Sequence, residues 1–211
     1  NDYVNIASSP SLQMSTGMTI ECWVNPALSE YSDYSSLVHY FRLGGPEQES
    51  GFTLQYFEGQ LRFMISVGSG NYDIVGDGLQ VWPGITLTQD SWTHVAGTYD
   101  VATGKAKIFK NGIEQANFDT EGGNINWDFI ETIDMKIGKS ELNPGGTDGY
   151  FNGGIDEIRL WDSAFEPEAL QSVMCNSPIG NSGLVGYWNF NNAGDGISTI
   201  SDVTGNGNDG N

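Results

Sequence analysis

Residues 150–162 read YFNGGIDEIRLWD, and the second half of that stretch decides the fold class. Ile158 and Leu160 alternate with Glu157, Arg159 and Trp161, the period-two pattern of a β-strand with one buried face. Gly153 and Gly154 separate it from what precedes. Strict alternation places Asp156 on the face of Ile158 and Leu160, a carboxylate on an otherwise apolar side. A buried carboxylate costs several kcal/mol unless it is paired or bound to a metal. The strand is therefore expected to be both a core element and a pointer to a site.

The same period recurs on either side. In MTIECWVNP, Met18, Ile20, Cys22 and Val24 alternate with Thr19, Glu21, Trp23 and Asn25, and Pro26 ends the strand. Trp23 reads as a surface aromatic covered by a neighbouring strand or loop. Residues 1–6, 37–43, 51–57, 60–67, 92–99 and 133–139 read as further strands, and 184–190 as the last. Glu58-Gly59 is a tight turn, and Asn111-Gly112 joins 105–110 to 113–118 as a hairpin. The segment 71–88 reads as loop, with a short apolar patch at Ile74-Val75. One helix is expected after Ser163: Pro167 suits its first turn, and Leu170, Val173 and Met174 form an i, i+3, i+4 stripe that covers the core. About a dozen strands joined by hairpins, with no βαβ spacing, predict an all-β sandwich of two antiparallel sheets.

At 211 residues the chain suits one domain, and 29 Gly against 7 Pro suits short strands and tight turns. Eight Lys+Arg against 27 Asp+Glu leave a net charge of −19. That balance argues against nucleic acid or an anionic membrane, which need phosphate-neutralising charge. It suits a neutral or cation-loaded ligand. No apolar run of about 18 residues occurs, so no membrane-spanning helix is expected. Cys22 and Cys175 form either one disulfide closing a large loop or two free thiols; with no CxxC, a cysteine-zinc site is excluded. The chain begins at Asn1 without Met and reads as a piece of something larger, so a missing leader says nothing about secretion.

NDYVNI, MTIECWVNP, SWTHVAGTYD, KIFKNGIE, MKIGK and YFNGGIDEIRLWDSAFEPEAL resemble, in order and over nearly the whole chain, the signature strands of laminin-G-like, concanavalin A-like jelly-roll domains, including the pentraxin-related type of bacterial secreted proteins. GLVGYWNFNN with SDVTGNGNDG is similar to a segment that can precede the first strand in that family or follow the helix, as it does here. The resemblance implies a single jelly-roll domain over 1–211, extracellular or at the cell surface, and a calcium-stabilised, non-catalytic module that binds polysaccharide or glycoconjugate. The alternative is a protein-binding adhesion or spacer domain of a multidomain adhesin. A weaker one is a glycan hydrolase or lyase.

Calcium takes six to eight oxygens from carboxylates, amides and carbonyls. In the family one calcium commonly ties the N-terminal strand to the strand of 150–162, and the matching residues are Asp2 and Asp156. Asp202, Asn206 and Asp209 of the tail reach the same region if the tail folds back. A second set, Glu141, Asn143 and Asp148, matches the position of the pentraxin ligand loop but lacks its run of adjacent acidic and amide residues. For both sets the alternative is turn-capping or a solvated acidic loop. Sugars stack on aromatic rings beside polar groups; Trp82, Trp127, Tyr72 and Tyr34 stand in loop-like segments of that kind, and Arg62 is a scarce cation on a strand. Each ring has the alternative of tucking into the sandwich edge. Catalytic carboxylate pairs must share a face, which the neighbours Asp156 and Glu157 do not on a regular strand. His39 and His94 read as packing residues.

Overall fold

The computed structural model describes residues 2–27, 35–42, 49–57, 59–68, 71–75, 84–120, 122–128, 130–141, 149–192, 194 and 198–211, the backbone alone for 71–75. In chain order the strands are β1 (Val4–Ile6), β2 (Gly17–Pro26), β3 (Ser35–Arg42), β4 (Ser50–Phe57), β5 (Gln60–Val67), β6 (Asn71–Val75), β7 (Thr93–Asp100), β8 (Lys105–Lys110), β9 (Ile113–Asp119), β10 (Met135–Ile137), β11 (Lys139–Ser140), β12 (Gly149–Tyr150), β13 (Gly153–Trp161) and β14 (Leu184–Trp188), with helix α1 (Pro167–Val173) before the last. They form two six-stranded antiparallel sheets, ordered β1-β10-β3-β4-β5-β6 (sheet A) and β14-β13-β2-β7-β8-β9 (sheet B), with β11 and β12 a separate pair. This is the two-sheet antiparallel sandwich that the strand periods predict, in the jelly-roll form that the family resemblance implies.

The inward residues are the apolar half of each alternation. Met18, Ile20, Cys22 and Val24 of sheet B meet Val38, Tyr40, Phe52, Leu54, Phe63 and Ile65 of sheet A in one continuous cluster. Burying each such side chain contributes about 1.5–3 kcal/mol. Gly97 on β7 is required by this contact, because a Cβ there would enter the Phe63 ring. The Asn111-Gly112 turn closes β8 on β9 with both residues at positive φ, 51° and 70°, as a two-residue type I′ hairpin demands.

Two expectations, on residues 71–75 and on Asp156, are corrected, and the open choice for the cysteines is decided. Residues 71–75 are a strand, paired antiparallel with β5 from Phe63↔Val75 to Val67↔Asn71. Cys22 and Cys175 are both free thiols, one buried and one exposed. Asp156 is not on the core face: the register of β13 against β2 slips between Asp156 and Arg159, where Glu157 adopts φ 54°. A bulge inserts an unpaired residue and reverses the alternation. Asp156 therefore sits opposite Trp23, and Ile155 opposite the core residue Val24.

The helix begins with Pro167 in its first turn and lays Leu170 over Ala96 and Phe109 on the outer side of sheet B, with Phe165 beside them. Beneath the segment around it lies a buried polar cluster. Glu21 accepts from His94 Nε2 at 2.8 Å and from Trp161 Nε1 at 2.9 Å. The tail returns to the first strand: Asn5 and Asn211 exchange two backbone hydrogen bonds of 2.8 and 2.9 Å.

Candidate functional site

Sheet A carries the most distinctive outward face. Across β10, β3, β4 and β5, Lys136 stands opposite His39, His39 opposite Thr53, and Thr53 opposite Met64. In the next row Ser36 stands opposite Gln55, and Gln55 opposite Arg62. These residues alternate with Val38, Leu54 and Phe63 of the core, so they project away from it. Although they face outward, they are withdrawn from water: His39 is 7% exposed, Gln55 3%, Arg62 5% and Lys136 7%.

The face is chemically mixed. The Arg62 guanidinium stacks 4.0 Å over the half-buried Phe57 ring, Lys136 pairs with Glu141 at 3.1 Å, and Gln55 Nε2 lies 3.1 Å from Met64 Sδ. His39 Nδ1 is 3.4 Å from Thr53 Oγ1, whereas its Nε2, fully buried, has no hydrogen-bond partner. Burial, and then the Lys136 charge, push the His39 pKa down to about 4. The imidazole is thus neutral at physiological pH and offers an unused polar atom. Side chains of this kind, fixed in a low-dielectric setting, bind hydroxyl groups strongly because water competes little.

The calcium candidates are not brought together. Asp2 lines a cavity of about 730 Å³ at the sandwich edge, whose wall includes Ile137, Phe151 and Ile155. Asp156 is on the far side of β13 from Ile155, accepts the Glu157 amide at 2.7 Å, and has its pKa raised by burial. Asp202 is saturated: its two oxygens accept from the Tyr187, Thr204 and Asn208 amides, the Thr204 hydroxyl and the Asn208 side chain. Asp209 accepts the Asp202 amide, Asn206 donates to the Val185 carbonyl, and Glu141 is engaged by Lys136. Asn143 and Asp148 lie outside the described residues. Among the described residues, no three His, Cys, Asp or Glu side chains converge on a metal position. Asp2 thus lines the cavity, whereas the bulge turns Asp156 to the side of Trp23.

The aromatic candidates separate similarly. Trp127 is half-buried, donates from Nε1 to the Met14 carbonyl at 3.1 Å, and packs against Tyr40 and Phe52 at centroid distances of 6.0 and 6.3 Å. Its indole is a wall of the core. Tyr72 lies on β6 opposite Ser66, its side chain outside the description. Trp82 and Tyr34 lie outside the described residues. Arg62 lies on the outward face of sheet A, on β5 beside the edge strand β6. Gln55 and Phe57 beside it, and His39 in the adjoining row two strands away, are legible from period two in SSLVHYFR and SGFTLQYF once the outward half is read as carefully as the inward one.

Known proteins place this architecture. A laminin G family, described as the concanavalin A-like lectin/glucanases superfamily, matches residues 1–171. The chain belongs to that family. A comparison with curated proteins finds no match. Among solved structures, a putative carbohydrate binding protein from Bacteroides ovatus is similar with TM-score 0.71 at 20% identity; the match covers 99% of this chain and 54% of that one. Domain 4 of an extracellular GH43 arabinanase from Geobacillus stearothermophilus, in complex with arabinotriose, is similar with TM-score 0.53 at 21% identity, covering 77% of this chain and 68% of that one. The CBM40 of the Ruminococcus gnavus IT-sialidase, bound to α2,3 sialyllactose, has TM-score 0.53 at 17% identity, covering 77% and 84%. At these identities the likeness is one of fold.

Proposed function

We propose that this member of the concanavalin A-like lectin/glucanases superfamily is a non-catalytic carbohydrate-binding module, extracellular or surface-borne, that takes a glycan on the outward face of sheet A. The observation that carries the reading is the double row of polar side chains on that face, Lys136–His39–Thr53 and Gln55–Arg62, with His39 Nε2 left without a partner. A buried polar atom with nothing to bond is costly, and a hydroxyl supplied from outside removes the cost. Phe57 lies under the Arg62 guanidinium at 4.0 Å and so fixes the direction of its donors. The solved relatives whose names include carbohydrate binding support the same class.

The charge supports a neutral glycan. A chain of net charge −19 repels anionic sugars at long range, and the cations on this face are already engaged, Arg62 by Phe57 and Lys136 by Glu141. The reading includes no catalytic carboxylate pair. Glu157 is held by Arg159 and the Tyr187 hydroxyl. A glycan array of neutral plant and host polysaccharides, probed with and without EDTA, tests the proposal. Saturable binding that persists in chelator is expected; absence of binding to every glycan would end the carbohydrate reading, and turnover of any of them would end the non-catalytic one.

A further inference from the structure

On the opposite side of the sandwich, where α1 ends over sheet B, a cleft of about 440 Å³ opens between the helix terminus and the bulge of β13. Its walls are built. Trp23 is half-buried, and its Nε1 donates to the Met174 carbonyl at 3.0 Å, so the ring is fixed and only its face remains for a ligand. Arg159 is 2% exposed; Nη1 donates to the Val173 carbonyl at 2.7 Å and Nη2 to Glu157, while Nε is buried without a partner. Tyr187 donates its hydroxyl to the same Glu157 carboxylate at 2.8 Å. Glu157 holds a left-handed backbone at φ 54°, which a residue with a side chain adopts at a cost of about 1–3 kcal/mol and which clusters at ligand sites. Asn176 and Ser177 stand exposed at the rim.

We propose that this cleft is a second carbohydrate site, taking one neutral sugar unit stacked on Trp23 and hydrogen-bonded to Glu157, Arg159, Asn176 and Ser177. Three observations select that chemistry. The Arg159–Glu157 pair offers a donor and an acceptor side by side, with its opposite charges paired. The cation position over the Tyr187 ring is already filled by Arg159 at 5.3 Å, which disfavours an ammonium ligand. The partnerless Arg159 Nε, on a residue lining the cleft, is the kind of buried donor that a ligand hydroxyl satisfies. The site shares no residue with the outward face of sheet A, so the two proposals stand or fall separately.

Cys175 lies in the cleft wall with an exposed thiol, whereas Cys22 is buried in the core, where burial pushes its thiol pKa up. Iodoacetamide therefore modifies Cys175 selectively and reports on the cleft. The experiment measures its alkylation by mass spectrometry on the intact chain, alone and with methyl glycosides of glucose, galactose, arabinose and N-acetylglucosamine, and with choline. At least one glycoside is expected to slow alkylation saturably while choline does not. Trp23→Ala should weaken that protection about tenfold or more, the scale of a lost stacking platform. The exposed variant Ser177→Ala, which leaves the ring and the Asn176 side-chain bond to the Ser172 carbonyl in place, should weaken it with the melting midpoint unchanged, and Arg62→Met should leave it intact. Alkylation indifferent to all four glycosides, equal protection by choline, or protection untouched by the rim variant would overturn the assignment.

Discussion

Replacing Asp202 by alanine removes the hub that fastens the tail to the last strand. Oδ1 accepts from the Tyr187 amide at 3.2 Å, the Thr204 amide at 3.0 Å and the Thr204 hydroxyl at 2.7 Å; Oδ2 accepts from the Asn208 amide and side chain, both at 3.2 Å. Thr204 is half-buried and can turn to water, but Tyr187 and Asn208 are 6% and 3% exposed. Two buried backbone amides lose their acceptor, each at a cost of about 1–3 kcal/mol, and the Asn208 side chain keeps only the Val185 carbonyl at 3.3 Å, so about 3–5 kcal/mol is expected in all. That is a large share of the 5–15 kcal/mol available to a typical domain, and at about 2–4 °C per kcal/mol it lowers the melting midpoint by roughly 10 °C. Urea unfolding followed by tryptophan fluorescence measures it, and Asp202→Asn, which keeps one acceptor, should fall between. A loss under about 1 kcal/mol for the alanine variant would refute the reasoning, because the tail would then be held by its backbone pairs alone.

Folded His39 has its pKa at about 4 against an ordinary 6.5. The unfolded chain therefore binds the proton first as pH falls, and stability present above pH 6.5 is lost down to about 4. At 1.36 kcal/mol per pH unit the loss amounts to about 3 kcal/mol, and His39→Gln should remove that part of the pH profile in urea titrations; parallel profiles would contradict it. Trp127→Phe deletes the indole donor to Met14 and should cost about 1–2 kcal/mol in stability while leaving glycan affinity unchanged; weakened binding with unchanged stability would make the ring a ligand platform. EDTA should leave the melting midpoint where it is, since the described carboxylates do not converge, and a drop of several degrees would place a structural calcium in the fold.

The fold was legible because period two is a local property. YFNGGIDEIRLWD, MTIECWVNP and KIFKNGIE each announce their strands without reference to a partner. The bulge at Glu157 was not legible. Only the pairing with β2 forces Asp156 beside Trp23, and a single extra residue then reverses which carboxylate faces where. The alternation that placed Asp156 on the apolar face fails at that point for a geometric reason. Residues 71–75 were missed because NYDIV is short and half polar, and its strand character comes from the edge of β5 that it pairs with. Arg62 was recognised as a scarce cation, whereas His39 was read as a packing residue and Gln55 was not singled out; the difference lies in the register that puts them in adjoining rows.

The central claim is that a glycan is held by the outward rows of sheet A. The most direct measurement is the affinity, by calorimetry, of the best array ligand for wild type, Gln55→Leu and Arg62→Met, with midpoints measured alongside. Each substitution removes hydrogen bonds worth about 1–3 kcal/mol to a ligand, so each folded variant should bind about 10–100-fold more weakly than wild type. Wild-type affinity in both folded variants would contradict the account and move the glycan elsewhere on the sandwich.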